Sequence, residues 1–153
     1  RDGPYCASIE RASRDFQRRC RLRVTARDDG ISLVGDRYVL EVAELPTFAV
    51  GRDGFLALRI HTEAAAEIYV MGVRPGSHRR GIGTALLEAA EAFLRERGVE
   101  FLQAKTLGPS HADAGYAATR SFYAARGFRP LEELTAIWGE ENPCLIQVKR
   151  LEP

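Results

Sequence analysis

Val73-Arg-Pro-Gly-Ser-His-Arg-Arg-Gly-Ile-Gly-Thr-Ala-Leu-Leu87 joins the end of an apolar strand to the start of an amphipathic helix through a short loop of glycines and arginines. Backbone N–H groups at a helix N-terminus have no intrahelical partners, and the helix dipole favours an anion there. Glycine lets a backbone come close to a ligand. The order of strand, Gly/Arg loop and helix start therefore reads as a cradle for a diphosphate. Two commoner phosphate loops are excluded by spacing. Gly76 and Gly81 stand as in a P-loop, but Ile82 and Gly83 follow where Lys and Ser/Thr are needed. Gly81-Ile-Gly83 opens like a dinucleotide fingerprint, but Leu86 occupies the third glycine position. On the loop alone, a tight turn with solvated Arg79 and Arg80 stays open as the alternative.

Outward from the loop the pattern sorts into strands and helices. Glu67-Ile-Tyr-Val-Met-Gly-Val73 is rich in β-formers, is stopped by Pro75, and reads as a strand. Residues 38–43, 47–50 and 55–60 read as earlier strands, with a Gly51-Arg-Asp-Gly54 turn. Leu86, Leu87, Ala90, Phe93 and Leu94 recur at helical spacing and predict a helix over 83–97, closed by Gly98. There follow a strand over 99–106, a loop over 107–114, a helix over 116–126 closed by Gly127, and strands over 128–131 and 144–149. Arginines crowd residues 10–27, with Phe16, Cys20 and Leu22 as a weak apolar stripe, and predict a first helix with a solvated basic face. Runs of strands, then strand–helix–strand–helix–strand, imply an α/β domain built on a mixed sheet.

The 153 residues fit a single domain over 1–153, long enough to bury a core. The net charge of +1 creates no global field toward nucleic acid or a membrane surface. No apolar run approaches the roughly 18 residues of a membrane span, and no signal-peptide pattern is visible. Cys6, Cys20 and Cys144 are scattered, which suits neither a disulfide framework nor a metal site. A reducing, cytoplasmic setting without a metal is the expectation.

Some forty residues after the loop comes Thr119-Arg-Ser-Phe-Tyr-Ala-Ala-Arg-Gly-Phe128. With the strand over 67–73 and His78-Arg-Arg-Gly-Ile-Gly83, it resembles the GNAT superfamily of acetyl-CoA-dependent N-acetyltransferases. That family's loop reads Gln/Arg-x-x-Gly-x-Gly/Ala, and its later helix typically ends Tyr-x-x-x-Gly-Phe, as Tyr123 to Phe128 do here. The resemblance covers roughly residues 48–151. It implies a mostly antiparallel sheet flanked by helices, with a parallel strand pair that splays to admit the pantetheine of acetyl-CoA, here the strands over 67–73 and 99–106. It further implies that Val73 pairs with pantetheine through its backbone and that Met71 lies close to the thioester. Arg79, Arg80, Gly81, Ile82, Gly83 and Thr84 would wrap the diphosphate. Two positions depart from the family. His78 stands at the Gln/Arg position of the loop, and Tyr116 stands where an Asn often contacts the cofactor, so that contact is not carried over.

An amine is protonated at neutral pH, so acetyl transfer needs a base, a site for oxyanion charge and an acid for the leaving thiolate. Glu67 is the expected base. It opens the strand that leads to the loop, its sequence neighbours Ala64, Ala65, Ala66 and Ile68 are apolar, and it resembles the base-bearing strand of the histone-acetylating branch. A plain surface position for Glu67, and a base acting through water from Glu63 or Glu41, stay open. Tyr123 matches the family tyrosine and is the expected acid, with a packed helix aromatic as the alternative. His61 and His111 carry no motif and read as surface histidines. Tyr69, Phe122 and Trp138 read first as packing residues. Asp113, Glu132, Glu133, Glu140 and Glu141 read as solvated loop acids. The acceptor expected is a small-molecule or peptide amine, attacked directly in a ternary complex, and the family pattern allows a homodimer. A non-catalytic acetyl-CoA sensor, use of another acyl group and a tRNA acetylator are the rival readings, the last disfavoured by the near-neutral charge.

Overall fold

The computed structural model describes residues 25–26 and 45–153. Among them seven strands form one sheet: β1 Thr25–Ala26, β2 Thr47–Val50, β3 Gly54–Ile60, β4 Ala65–Val73, β5 Phe101–Leu107, β6 Arg129–Leu134 and β7 Cys144–Arg150. Helix α1, Ile82–Arg95, follows β4, and helix α2, Ala114–Ala125, follows β5. The sheet order is β1-β2-β3-β4-β5-β7-β6, antiparallel throughout except for the parallel pair β4 and β5. This is the mixed, mostly antiparallel sheet expected, with the parallel pair where it was expected.

The strand over 38–43 and nearly all of the helix over 10–27 lie outside the described residues. Where that helix meets them, the expectation is corrected. Thr25 and Ala26 form a strand, paired with Ala49 and Phe48 of β2. Pairing along the open edge of β2 gives their backbone groups partners that an exposed helix end lacks, and β-branched Thr suits that conformation.

Helix α1 forms because its apolar residues fall on one face, and that face closes the core. Ile82, Leu86, Leu87, Ala90, Phe93 and Leu94 are buried against Phe48, Leu56, Leu58, Ile68 and Leu102 of the sheet. Phe93 meets Phe48 edge to face, ring centroids 5.7 Å apart. Gly98 ends the segment at φ +73, a conformation in which glycine carries no steric cost. Leu86 is fully buried, so Leu86→Ala is expected to cost about 2–5 kcal/mol in urea unfolding. A loss below about 1 kcal/mol would mean that this face is not the packed core described.

Strand β4 is irregular on both of its edges. The β3–β4 register passes from Ala57↔Val70 to Leu58↔Ile68, which leaves Tyr69 as an extra residue in a bulge. Pairing of β4 with β5 runs from Ala65↔Phe101 to Ile68↔Ala104 and stops there. Beyond that point β4 continues to Val73, still held by β3, and β5 continues to Leu107, still held by β7. The bulge bends β4 where its pairing with β5 ends, and the two parallel strands part like a fork.

Candidate active site at the strand fork

The loop between β4 and α1 is fixed from both ends. A 3-10 turn over Pro75–Ser77 opens it. Ser77 donates from Oγ to Asp53 Oδ1 at 2.9 Å, and Arg74 N–H donates to Asp53 O at 2.8 Å. His78, the residue the sequence left without a role, donates from Nε2 to Val73 O at 2.9 Å and staples the loop to the strand end. Arg79, at φ +61, and Gly81, at φ +77, are both left-handed, so the chain reverses sharply into α1. The helix begins at Gly81 with no side-chain cap and no acidic residue in its first turn. The N–H groups of Ile82, Gly83 and Thr84 therefore face the loop with the partial positive charge of the helix end. Ile82 contributes only its N–H, because its side chain is buried in the core.

Gly83 has a reason that the sequence reading missed. A Cβ there would stand 3.1 Å from the Phe122 ring, so the absent side chain makes room for α2. Through this contact α2 brings Arg126 to the same helix end. Arg126 donates from Nε to Thr84 Oγ1 at 3.1 Å, and from Nη2 to the same oxygen. Its Nη1 donates to Phe122 O at 3.0 Å, and the guanidinium lies 3.8 Å above the Phe122 ring. Among the described residues it has no carboxylate partner. A cation at the positive end of a helix is unfavourable unless an anion joins it. Arg126 stands at the start of α1 beside Thr84, next to the turn that carries Arg79, Arg80 and Gly81. Only its spacing one helical turn after Phe122 hinted at this.

Tyr123 lies in the core cluster, on the face of the sheet that carries α1. Phe122 and Phe128 flank it edge to face, at 5.3 and 5.1 Å. Burial pushes its phenol up to about 12, so it stays protonated through the physiological range. Met71 and Val73, on the β4 arm of the fork, are partly buried against the same cluster. Arg120 holds the end of the other arm, donating to Leu107 O at 2.7 Å and Gly108 O at 3.2 Å.

Glu67 lies at the base of the fork on the opposite face. Its expected apolar surroundings are corrected, because Ala66 and Ile68 point into the core under α1 and alternate residues of a strand face opposite sides. Glu67 is buried, yet its carboxylate meets three polar groups. Lys105 donates from Nζ to Oε2 at 2.6 Å, Gln103 donates to Oε2 at 3.4 Å, and His61 Nε2 lies 3.2 Å from Oε1. The parallel register that pairs Glu67 with Gln103 brings in Lys105 two residues on, and the β3–β4 turn brings back His61. Cys144 is close enough to feel this cluster. Burial raises its thiol, Lys105 lowers it and Glu67 raises it further. A protonated, buried thiol is no nucleophile.

A model of the acetyltransferase (GNAT) domain matches residues 36–130. The chain belongs to the GNAT acetyltransferase family. Among solved GNAT structures, an acetyltransferase from Elizabethkingia anophelis with acetyl-CoA bound has a TM-score of 0.65, with 14% identity over 84% of this chain and 97% of that one. An aminoglycoside 6'-N-acetyltransferase complexed with coenzyme A has a TM-score of 0.64, with 19% identity over 78% of this chain and 82% of that one. At these identities the likeness is one of fold. The mycothiol acetyltransferase of Beutenbergia cavernae is 38% identical over 74 residues, which are 48% of this chain and 23% of that protein. The chain thus matches less than a quarter of that relative's length. Among the described residues no helix is long and apolar enough to cross a membrane.

Proposed function

We propose that this chain transfers an acetyl group from acetyl-CoA to a primary amine by direct attack within a ternary complex. The observation that carries the reading is the fork. An open, positively charged helix start lies at its mouth, a protonated tyrosine on one face and a buried carboxylate on the other. The diphosphate of acetyl-CoA fits the N–H groups of Gly81 to Thr84 together with Arg79, Arg80 and Arg126. Pantetheine enters between the arms beside Val73, and the thioester comes to rest near Met71.

Glu67 takes a proton from the acceptor amine as its nitrogen bonds to the acetyl carbon. The C–S bond then breaks. Tyr123 donates a hydrogen bond to the departing sulfur. With its phenol near 12 against about 8.5 for an ordinary thiol, hydrogen bonding to the thiolate outweighs full proton transfer. Among the described residues Cys144 is the one cysteine, and its burial withholds it from an acetyl-enzyme route. The mycothiol and aminoglycoside enzymes among the relatives point to small-molecule amines as the first acceptors to try.

The test is release of free thiol from acetyl-CoA against a panel of aminoglycosides, amino-sugar thiols, polyamines, amino acids and N-terminal peptides. Thiol release with one class identifies the acceptor. Tight acetyl-CoA binding with no release across the panel favours the sensor reading, and absence of binding sinks the proposal. In the same titration Arg126→Gln is expected to weaken coenzyme A binding about tenfold or more, the usual value of a charge-assisted hydrogen bond. Unchanged affinity would remove Arg126 from the site.

A further inference from the structure

We infer that His61 is the exit for the proton that Glu67 takes from the acceptor amine, an inference that rests on the acetyl-transfer reading above. The Glu67 side chain is 7% exposed, so its carboxylate has little direct access to bulk water. Among the described residues three partners surround it: Lys105 and Gln103 on Oε2, and His61 on Oε1. A lysine ammonium has three donors and no acceptor, and an amide NH2 only donates. Neither accepts a proton from Glu67. An imidazole has a ring nitrogen that does. The His61 side chain is 39% exposed, so of the three it is the one that joins a proton-accepting atom to the solvent.

The imidazole stands on a fixed turn. His61 N–H donates to Ala65 O at 2.9 Å, and Thr62 N–H donates to the same oxygen at 3.1 Å. Thr62 Oγ1 accepts from the N–H groups of Ala64 and Ala65. Ala64 O accepts from the N–H groups of Glu100 and Phe101, both at 2.9 Å, which ties the turn to the start of β5. The 3.2 Å contact is therefore set by the hairpin and the parallel pair together.

Among the described residues, the charged and titratable groups on this side of the sheet are His61 at the β3–β4 turn, Arg59 on β3, Glu67 on β4, Lys105 on β5, Cys144 and Arg150 on β7, and Arg129 and Glu132 on β6. Arg59 is the register partner of Glu67 and lies 4.1 Å over the Tyr69 ring. Lys105 Nζ occupies Oε2, which leaves Oε1, the oxygen that faces His61, to carry a proton received by Glu67. That proton passes from Oε1 of the Glu67 carboxyl to the unprotonated Nε2 of the Nδ1–H tautomer of His61. The imidazolium gives its Nδ1 proton to water from the exposed edge, and exchange with water or a turn of the ring restores the starting tautomer. No other co-reactant is needed. His61 acts through Glu67 and is a positioning residue.

His61→Gln keeps a polar side chain of similar reach and removes the proton-accepting ring nitrogen. Its kcat is expected to fall about 10- to 100-fold, toward the low end of positioned proton transfer, with the KM for acetyl-CoA unchanged and the acid limb of the pH–rate profile displaced. In His61→Ala, imidazole added to the buffer restores the rate, which a purely structural loss would not allow. Wild-type kcat for His61→Gln at every pH, or no rescue of His61→Ala, overturns the inference. A second readout needs no turnover. The chain has three histidines, so the His61 ring signals are assignable by substitution, and their titration by NMR is expected to shift in Glu67→Gln. An unmoved titration overturns the exit. Failure of the acetyl-transfer reading is told apart because it appears in the wild type, as absence of thiol release before any substitution is made.

Discussion

Glu67→Gln is expected to lower kcat about 10²–10⁴-fold with a competent amine, the range for loss of a positioned general base, while acetyl-CoA affinity stays unchanged. Glutamine keeps the shape of the side chain and one oxygen for Lys105 at the place where the carboxylate now accepts at 2.6 Å. It has no oxygen that takes a proton at neutral pH. The loop proposed to hold the diphosphate lies beyond the splayed part of β4, so cofactor binding is expected to be spared. Some stability is lost as well, because Lys105 is left with a weaker partner. That loss is moderated by water at the lysine, whose side chain is 29% exposed. Melting temperature and isothermal titration therefore accompany the kinetics. A variant that binds acetyl-CoA, stays folded at the assay temperature and turns over at the wild-type rate removes Glu67 from the chemistry.

Tyr123→Phe carries two expected effects that separate a functional hydroxyl from a packing ring. The first is a fall in kcat of about 10²-fold, the low end for a positioned proton donor, since the ring and its edge-to-face contacts with Phe122 and Phe128 survive. The second concerns alkaline stability. In the unfolded chain this tyrosine ionises near 10, and in the folded protein near 12. The unfolded state therefore sheds its proton first. Stability is whole below pH 10 and drains as pH rises from 10 to 12, by about 3 kcal/mol for a two-unit difference. Urea unfolding of wild type and variant from pH 9 to 12 isolates this group, because the other alkaline titrations are common to both. Parallel curves would mean that Tyr123 is no more buried than an ordinary surface phenol. An unchanged kcat would leave it a packing residue.

What the sequence makes legible here is local. The strand into Val73, the reversal at Gly81 and the apolar stripe of α1 depend on neighbours within a few residues, and all stand where expected. Tyr123 was singled out by the family motif Tyr-x-x-x-Gly-Phe, whose Gly127 ends the helix at φ +89. The surroundings of Glu67 were not legible. Reading along the chain put it among alanines and Ile68, whereas strand alternation turns those inward and leaves the carboxylate with residues from β5 and from the preceding turn. Lys105 reaches it only through the parallel register, and His61 only through the hairpin. Arg126 and the reason for Gly83 likewise depend on how α2 packs across the start of α1, which no periodicity records. The short strand at Thr25–Ala26 was missed because pairing with β2 decided its conformation against the arginine-rich helical pattern around it.

The parting of β4 from β5 also bears on how this protein stays apart from its neighbours. An unpaired strand edge ordinarily recruits another chain and seeds aggregation. Here two such edges, 69–73 and 105–107, face each other from within the sheet, and each is already bonded on its outer side. A foreign strand cannot lie alongside either one without entering the notch, whose closed end is the Ile68↔Ala104 pair. Whatever bonds to these groups has to come in from the open end, past residues 73 and 107. The same gap that leaves backbone donors and acceptors available to a ligand thus screens them from other proteins, and sticky edges are turned into a selective slot by their position inside the sheet.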